Sequence, residues 1–193
     1  MSQAVQQVLQ TDAPLGKMLN GDRSFIYSLP ELDYYRFWRV HPEYVGIHIA
    51  PLPTGKRPVP GSAWAYLNTS YPQYDLVNRT LKPELEFKPL QEAFVDRSLV
   101  IHHGGLTTAI ACLLAGIPQL VLPRHLEQEL NARALLRLGV AQMSLAPTWE
   151  ELVVLQAKTI PCIAIARNQA IQLAQWNHNF TDTIVDGCLH LLD

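Results

Sequence analysis

No apolar run in this sequence approaches the ~18 residues needed to span a bilayer, so no transmembrane helix is expected. The opening stretch MSQAVQQVLQTDAP lacks a basic segment followed by a long apolar one, and no secretory signal is expected either. Cysteine is scarce. Cys112, Cys162 and Cys188 lie far apart without metal spacing, which predicts free thiols in a reducing, cytoplasmic setting. The sequons at Asn68, Asn78 and Asn179 are accordingly expected to carry no glycan. An excess of charge of one sign is missing too: a net charge of −2 and the lack of a basic arm argue against nucleic acid as a partner. No Asp-x-Asp pair and no His/Cys cluster with ligand spacing occurs, so no metal is expected.

What is present can build a core. Hydrophobic residues make up 48% of the 193 positions and charged ones only 17%, enough for one domain, or one domain with an appendage. The chain is organised around residues 98–139. Leu99, Val100 and Ile101 read as a short buried strand, followed by His102, His103, Gly104 and Gly105. Helix formers run from Ala109 to Ala115 and are closed by Gly116 and Pro118, and Gln119 to Leu122 reads as the next parallel strand. Strand, glycine turn, helix and strand make a βαβ unit.

The chemistry suited to such a turn is anion binding. Glycine lets a ligand approach the backbone, and the helix starting near Leu106 presents unpaired N–H groups and the positive end of its dipole. Thr107 and Thr108 could add hydroxyl donors, and His103 an imidazole donor. The plainer alternative is a tight strand-to-helix turn with an N-cap threonine and a structural histidine. His102 and His103, adjacent on a strand, should point to opposite faces and not act together.

The order HHGGLTT, LLAGIPQLVLP, EQELNARAL resembles the donor-binding domain of GT-B nucleotide-sugar glycosyltransferases, in the branch holding the UDP-glucuronosyl- and macrolide-type transferases. The resemblance implies a Rossmann-like α/β fold, a parallel sheet with flanking helices. It implies that His103, Gly104, Gly105 and Thr108 hold the diphosphate of a UDP- or dTDP-hexose, and that Glu127 and Gln128 bond the sugar hydroxyls. Read without it, Glu127 and Gln128 are a polar first helical turn. The family relies on helix dipoles, which again implies no bound cation and no permanently held cofactor. Three residues after Thr108, where plant and related members commonly place a glutamate for the ribose, this chain has Ala111. The nearest aromatic to the family's base-stacking tryptophan is Phe87.

The flanking sequence sets the domain expectations. Val5, Val8 and Leu9 hint at a short amphipathic helix, broken by Pro14 and Gly16, and Phe25 to Tyr27 at a strand. The stretch LPELDYYRFWRVHPEYVG resembles the end of the family's acceptor domain, so residues 1–50 read as a remnant of that domain. Pro51, Pro53, Pro58 and Pro60 mark 51–61 as a stiff linker, and 62–193 as the nucleotide-sugar-binding domain. Trp64 to Leu67 reads as its first strand, Tyr71 to Leu81 as a weak helix, Leu85 to Phe87 as a strand and Gln91 to Phe94 as one helical turn. The family fits a further helix–strand–helix between residues 68 and 98, so a shortened sheet is expected here, with apolar surface that needs a partner.

Further on, Leu126, Leu130 and Ala134 make an amphipathic helix that stops at Gly139. Thr148 and Glu151 have capping-box spacing. Ile160 and Pro161 interrupt, and a long helical pattern runs from Ala164 to the end, either crossing back to the first domain or lying as a lid on the core. His41, His48, His125, His178 and His190 read as isolated surface or packing residues. No candidate emerges for the general base that inverting hexosyl transfer requires.

Three functions therefore stay open. The chain is the donor half of a hexosyltransferase working with a separate acceptor-domain subunit or as a homo-oligomer, a non-catalytic nucleotide-sugar-binding module, or an inactive remnant acting as an interaction protein.

Overall fold

The computed structural model describes residues 23–49, 59–86, 88–178 and 180–189. The expected helix around Val5 to Leu9, most of the proline-rich linker, Phe87, Asn179 and His190 lie outside those residues.

The centre is a parallel sheet of four strands in the order β3-β4-β5-β6. Its strands are β3 (Ala63–Tyr66), β4 (Leu99–His102), β5 (Gln119–Val121) and β6 (Ala141–Met143). The register pairs Ala63 with Leu99, Val100 with Gln119 and Gln119 with Ala141. Every residue of β4 and β5 is buried, so the apolar residues Leu99–Ile101 and Leu120–Val121 run without polar alternation, and the polar His102 and Gln119 bond to each other. Their side chains nevertheless alternate. Trp64, Val100 and Val121 enter one core, and Ala63, Ala65, Leu99, Ile101 and Leu120 the other.

Helices cover both faces. On the Trp64 side lie α3 (Leu106–Ala115), α4 (Leu126–Arg137) and α6 (Cys162–Leu173), whose buried Ile110, Leu113, Leu135 and Ala166 join that core. On the other side lie α1 (Tyr74–Leu81) and α5 (Trp149–Thr159), contributing Val77, Leu81, Leu152 and Leu155. Two helical layers around a parallel sheet are the expected α/β arrangement. Thr148 is the N-cap of α5, its Oγ1 accepting from the Glu151 N–H at 3.2 Å, which is one half of the expected capping box.

Among the described residues between β3 and β4 stand α1, a four-residue helix α2 (Leu90–Ala93) and one isolated bridge, Glu84 with Trp64. The strand expected at Leu85 to Phe87 is thus reduced to a contact at Glu84, whose N–H and C=O bond to Ala63 and Ala65. Pro83 and Pro89 supply no N–H to a ladder. The Glu84 carboxylate is itself held by Lys88 and Arg97. Among the described residues, the sheet therefore ends at β3 with a single-residue edge cover.

The C-terminal helical pattern is not one helix. After α6 comes a 3₁₀ turn, Ala174–Trp176, and then α7 (Thr181–Leu189). The break has a local cause. Asn177 leaves helical geometry to bridge Ile47, and its Oδ1 accepts the Ile49 N–H at 3.0 Å. Here the chain meets the earlier segment, which includes the short strands β1 (Phe25–Ile26) and β2 (Glu43–Tyr44). Arg23 donates to the Gly187 carbonyl at 3.0 Å, and Tyr27 meets Phe180 edge-on at 5.0 Å. Of the two arrangements expected for the C-terminus, these contacts are those of an end that returns to residues 23–49.

Candidate functional site

The carboxyl end of β4 runs into the turn His103–Gly104–Gly105, and α3 starts immediately after it. Gly104 has φ +95°, and a Cβ there would lie 2.8 Å from the Gln128 carbonyl oxygen and 2.9 Å from Val121 Cγ1. That position demands glycine on both counts. Gly105 differs: it is the N-cap of α3 at φ −59°, and a Cβ added there meets nothing within 4 Å. Its lack of a side chain keeps space open at the helix start and relieves no strain.

His102 is buried and organises the turn from beneath. Its Nδ1 accepts the Gly104 N–H at 3.0 Å, so its proton is on Nε2, which donates to Gln119 Oε1 at 2.8 Å. Gln119 in turn donates to the Ala109 carbonyl at 3.3 Å. Burial holds the His102 imidazole in its neutral form, with a pKa down to about 4. From the other side, the buried Asn131 donates Nδ2 to the Gly104 carbonyl at 2.9 Å, tying α4 to the turn. We expect Asn131→Ala to lower stability by about 1–3 kcal/mol through the orphaned carbonyl, readable as a lower urea midpoint with unchanged m value.

His103 sits half-buried on the opposite side, as strand alternation predicts. Its Nδ1 donates to the Leu122 carbonyl at 2.8 Å and its Nε2 accepts the Asn68 N–H at 3.1 Å. Tyr71 packs edge-on against the ring with centroids 5.1 Å apart. Burial lowers the pKa of this imidazole as well.

A cleft of about 500 Å³ opens above the turn, at the carboxyl ends of β3 and β4. Tyr66, Asn68, His103, Gly105, Thr108 and Gln128 line it, together with Arg124 and His125. The first turn of α3 has no side-chain cap, so the N–H groups of Leu106, Thr107 and Thr108 keep no intrahelical acceptor. The N-cap is Gly105, not the threonine of the plainer sequence reading. No carboxylate is among the lining residues.

The expected site residues distribute unevenly around this cleft. His103, Gly105, Thr108 and Gln128 line it, and Gly104 lies directly beneath. Gly104 does not offer its N–H, which is turned onto His102. Thr107 and Glu127 are exposed and are not among the lining residues. Gln128 uses Oε1 to accept the Arg124 N–H at 2.9 Å, leaving its amide nitrogen as a donor. Ala111 is fully buried in the core.

Sequence reasoning missed Asn68, Arg124 and His125. Asn68 follows a strand end, and its Oδ1 caps the Ser70 N–H at 2.8 Å, a turn signature that its place in a sequon masked. Arg124 and His125 follow Pro123 directly after β5, and loops at the carboxyl ends of parallel strands are where such sheets bind ligands.

No family model matches the chain. Over 63 residues it is 40% identical to the elloramycin glycosyltransferase ElmGT of Streptomyces olivaceus, a match covering 33% of this chain and 16% of that protein. The glycotransferase of kitacinnamycin has a similar structure, with a TM-score of 0.77 at 14% identity over 95% of this chain and 59% of that one. The spinosyn rhamnosyltransferase SpnG, solved in complex with thymidine diphosphate, superposes with a TM-score of 0.61 at 17% identity, over 81% of this chain and 54% of that one. The chain thus spans little more than half the length of these structures.

Proposed function

Because this chain has the fold of the GT-B glycosyltransferases, we propose that it binds the diphosphate of a nucleotide sugar at the turn after β4 and serves as the donor half of a hexosyltransferase. The observation that carries this reading is the uncapped start of α3, of which Gly105 and Thr108 line a carboxylate-free cleft of about 500 Å³. Three neighbouring N–H groups and the helix dipole there suit the oxygens of a diphosphate. The Thr108 hydroxyl and the Gln128 amide add donors in the same cleft. As the sugar leaves, charge develops on the diphosphate, and donors already oriented stabilise it without reorganisation.

The ligand is a UDP- or dTDP-hexose, and the thymidine diphosphate held by SpnG supports testing dTDP first. The domain assignment belongs to the same proposal: 62–193 binds the donor, 51–61 links, and 1–50 derives from an acceptor domain. The base that takes the acceptor proton is then supplied from outside this chain, by a separate acceptor-domain subunit or a second copy. A module that binds nucleotide sugar without turnover is the second reading.

Calorimetric titration with UDP, dTDP and UDP-glucose tests the site. Gly105→Asp projects a carboxylate into open space beside the uncapped N–H groups, so saturable binding is expected in the wild type and not in this variant. An unaffected variant would move the ligand elsewhere, and no binding at millimolar concentration would leave only an inactive remnant.

A further inference from the structure

We infer that Arg124 is the cation that receives the diphosphate in this cleft, a role that His103 is not free to fill. The inference rests on the diphosphate reading above. Its first ground is the tautomer of His103. A carbonyl can only accept, so Nδ1 carries the proton toward Leu122; a backbone N–H can only donate, so Nε2 presents its lone pair to Asn68. The neutral ring therefore offers the cleft no N–H. Freeing Nε2 would require both a second proton on a half-buried imidazole and release of the Asn68 loop.

The second ground is what remains. The Gly104 N–H is held by His102. The first-turn N–H groups of α3, the Thr108 hydroxyl and the Gln128 amide are all neutral donors, whereas a nucleoside diphosphate brings at least two negative charges. Arg124 and His125 line the same cleft, and a guanidinium is charged at every working pH. Its backbone is fixed by the bond from its N–H to Gln128 Oε1, while its guanidinium has no carboxylate partner among the described residues. Arg23, Arg39, Arg97 and Arg133 are paired with Glu43, Asp33, Glu84 and Glu129; Arg36, Arg79, Arg137 and Arg167 have no such pair among the described residues, but none of them lines this cleft. A guanidinium without a carboxylate partner, in a cleft that also holds an uncapped helix start, can match phosphate geometry through two parallel hydrogen bonds. Its charge reaches His103: after burial, it is one of the influences that disfavour protonation of that ring.

The test compares dTDP with thymidine, which has the same base and sugar but no charge. Wild type, Arg124→Gln and Arg124→Lys are titrated with both by calorimetry. Arg124→Gln is expected to weaken dTDP roughly tenfold to a hundredfold, with thymidine changed less than about twofold. Arg124→Lys should fall between, keeping the charge but losing the bidentate geometry. Wild-type binding of dTDP with no loss in Arg124→Gln would overturn the inference and leave the donor-site reading standing. Equal losses for dTDP and thymidine would overturn it too, by assigning Arg124 a purely structural role. Failure of the wild type to bind dTDP would overturn the donor-site reading and this inference with it.

Discussion

Gly104→Ala is expected to destabilise the protein by about 3–5 kcal/mol, while Gly105→Ala, one residue on, should change stability by less than about 1 kcal/mol. At position 104 two costs combine. A φ of +95° is a region that L side chains rarely adopt, costing ~1–3 kcal/mol. The new methyl would also press on the Gln128 carbonyl oxygen at 2.8 Å and on Val121 at 2.9 Å. Neither neighbour can yield cheaply: one is backbone in α4, and the other is a β5 residue in the core. Overpacking of that kind adds ~1–3 kcal/mol. At position 105 the backbone lies at φ −59° and the space is open. Urea denaturation of both variants checks the pair, and equal midpoints would show that the turn does not hold the geometry described.

The second large effect is a loss of stability in acid, traced to His102. The folded protein keeps this imidazole neutral, with a pKa near 4 against 6.5 for the free side chain. Above 6.5 neither state takes up a proton, and stability is at its full value. As the pH falls from 6.5 toward 4, the unfolded chain binds a proton that the folded one refuses, so stability declines through that window. A shift of that size is worth on the order of 3 kcal/mol when complete. Below the folded pKa both states are charged and the decline stops. The lowered pKa of His103 acts in the same direction.

His102→Gln should shrink the difference in stability between pH 7 and pH 4.5, because glutamine does not titrate. The variant will be less stable at pH 7, since the bonds to Gly104 and Gln119 are disturbed. The informative quantity is the slope against pH, and an unchanged slope would assign the acid effect to other groups.

Both effects converge on one device. His102 and Asn131 grip Gly104 by its N–H and its carbonyl, so the turn is held from the core and from α4 at once. A rigid turn aims the first N–H groups of α3 in a fixed direction, and preorganised donors lose little when a ligand arrives. Burial of His102, expensive in acid, is the counterpart of that rigidity.

Much of the architecture is legible in the sequence alone. Apolar runs at Leu99 and Gln119, a helix-forming run ending at Gly116, and the Thr148–Glu151 pair each announce an element by local chemistry alone. Such signals survive because backbone geometry and capping depend on neighbours within a few positions. Where local signals were weak, expectation and structure parted: the strand at Leu85 shrank to a bridge, and the last helix broke at Asn177.

The candidate site divides along the same line. By itself, the sequence determined that a glycine turn joins a buried strand to a helix, and hence that unpaired N–H groups gather there. It could not determine which polar groups of HHGGLTT remain free, because their partners stand far along the chain. Asn68 meets His103 across 35 positions, and Asn131 reaches Gly104 across 27. Only the tertiary structure brought Asn131 to the Gly104 carbonyl, engaged both nitrogens of His103, and brought the loop carrying Arg124 and His125 to the rim of the same cleft. Hydrogen-bonding capacity is a property of the residue, but its allocation follows from which surfaces folding brings together.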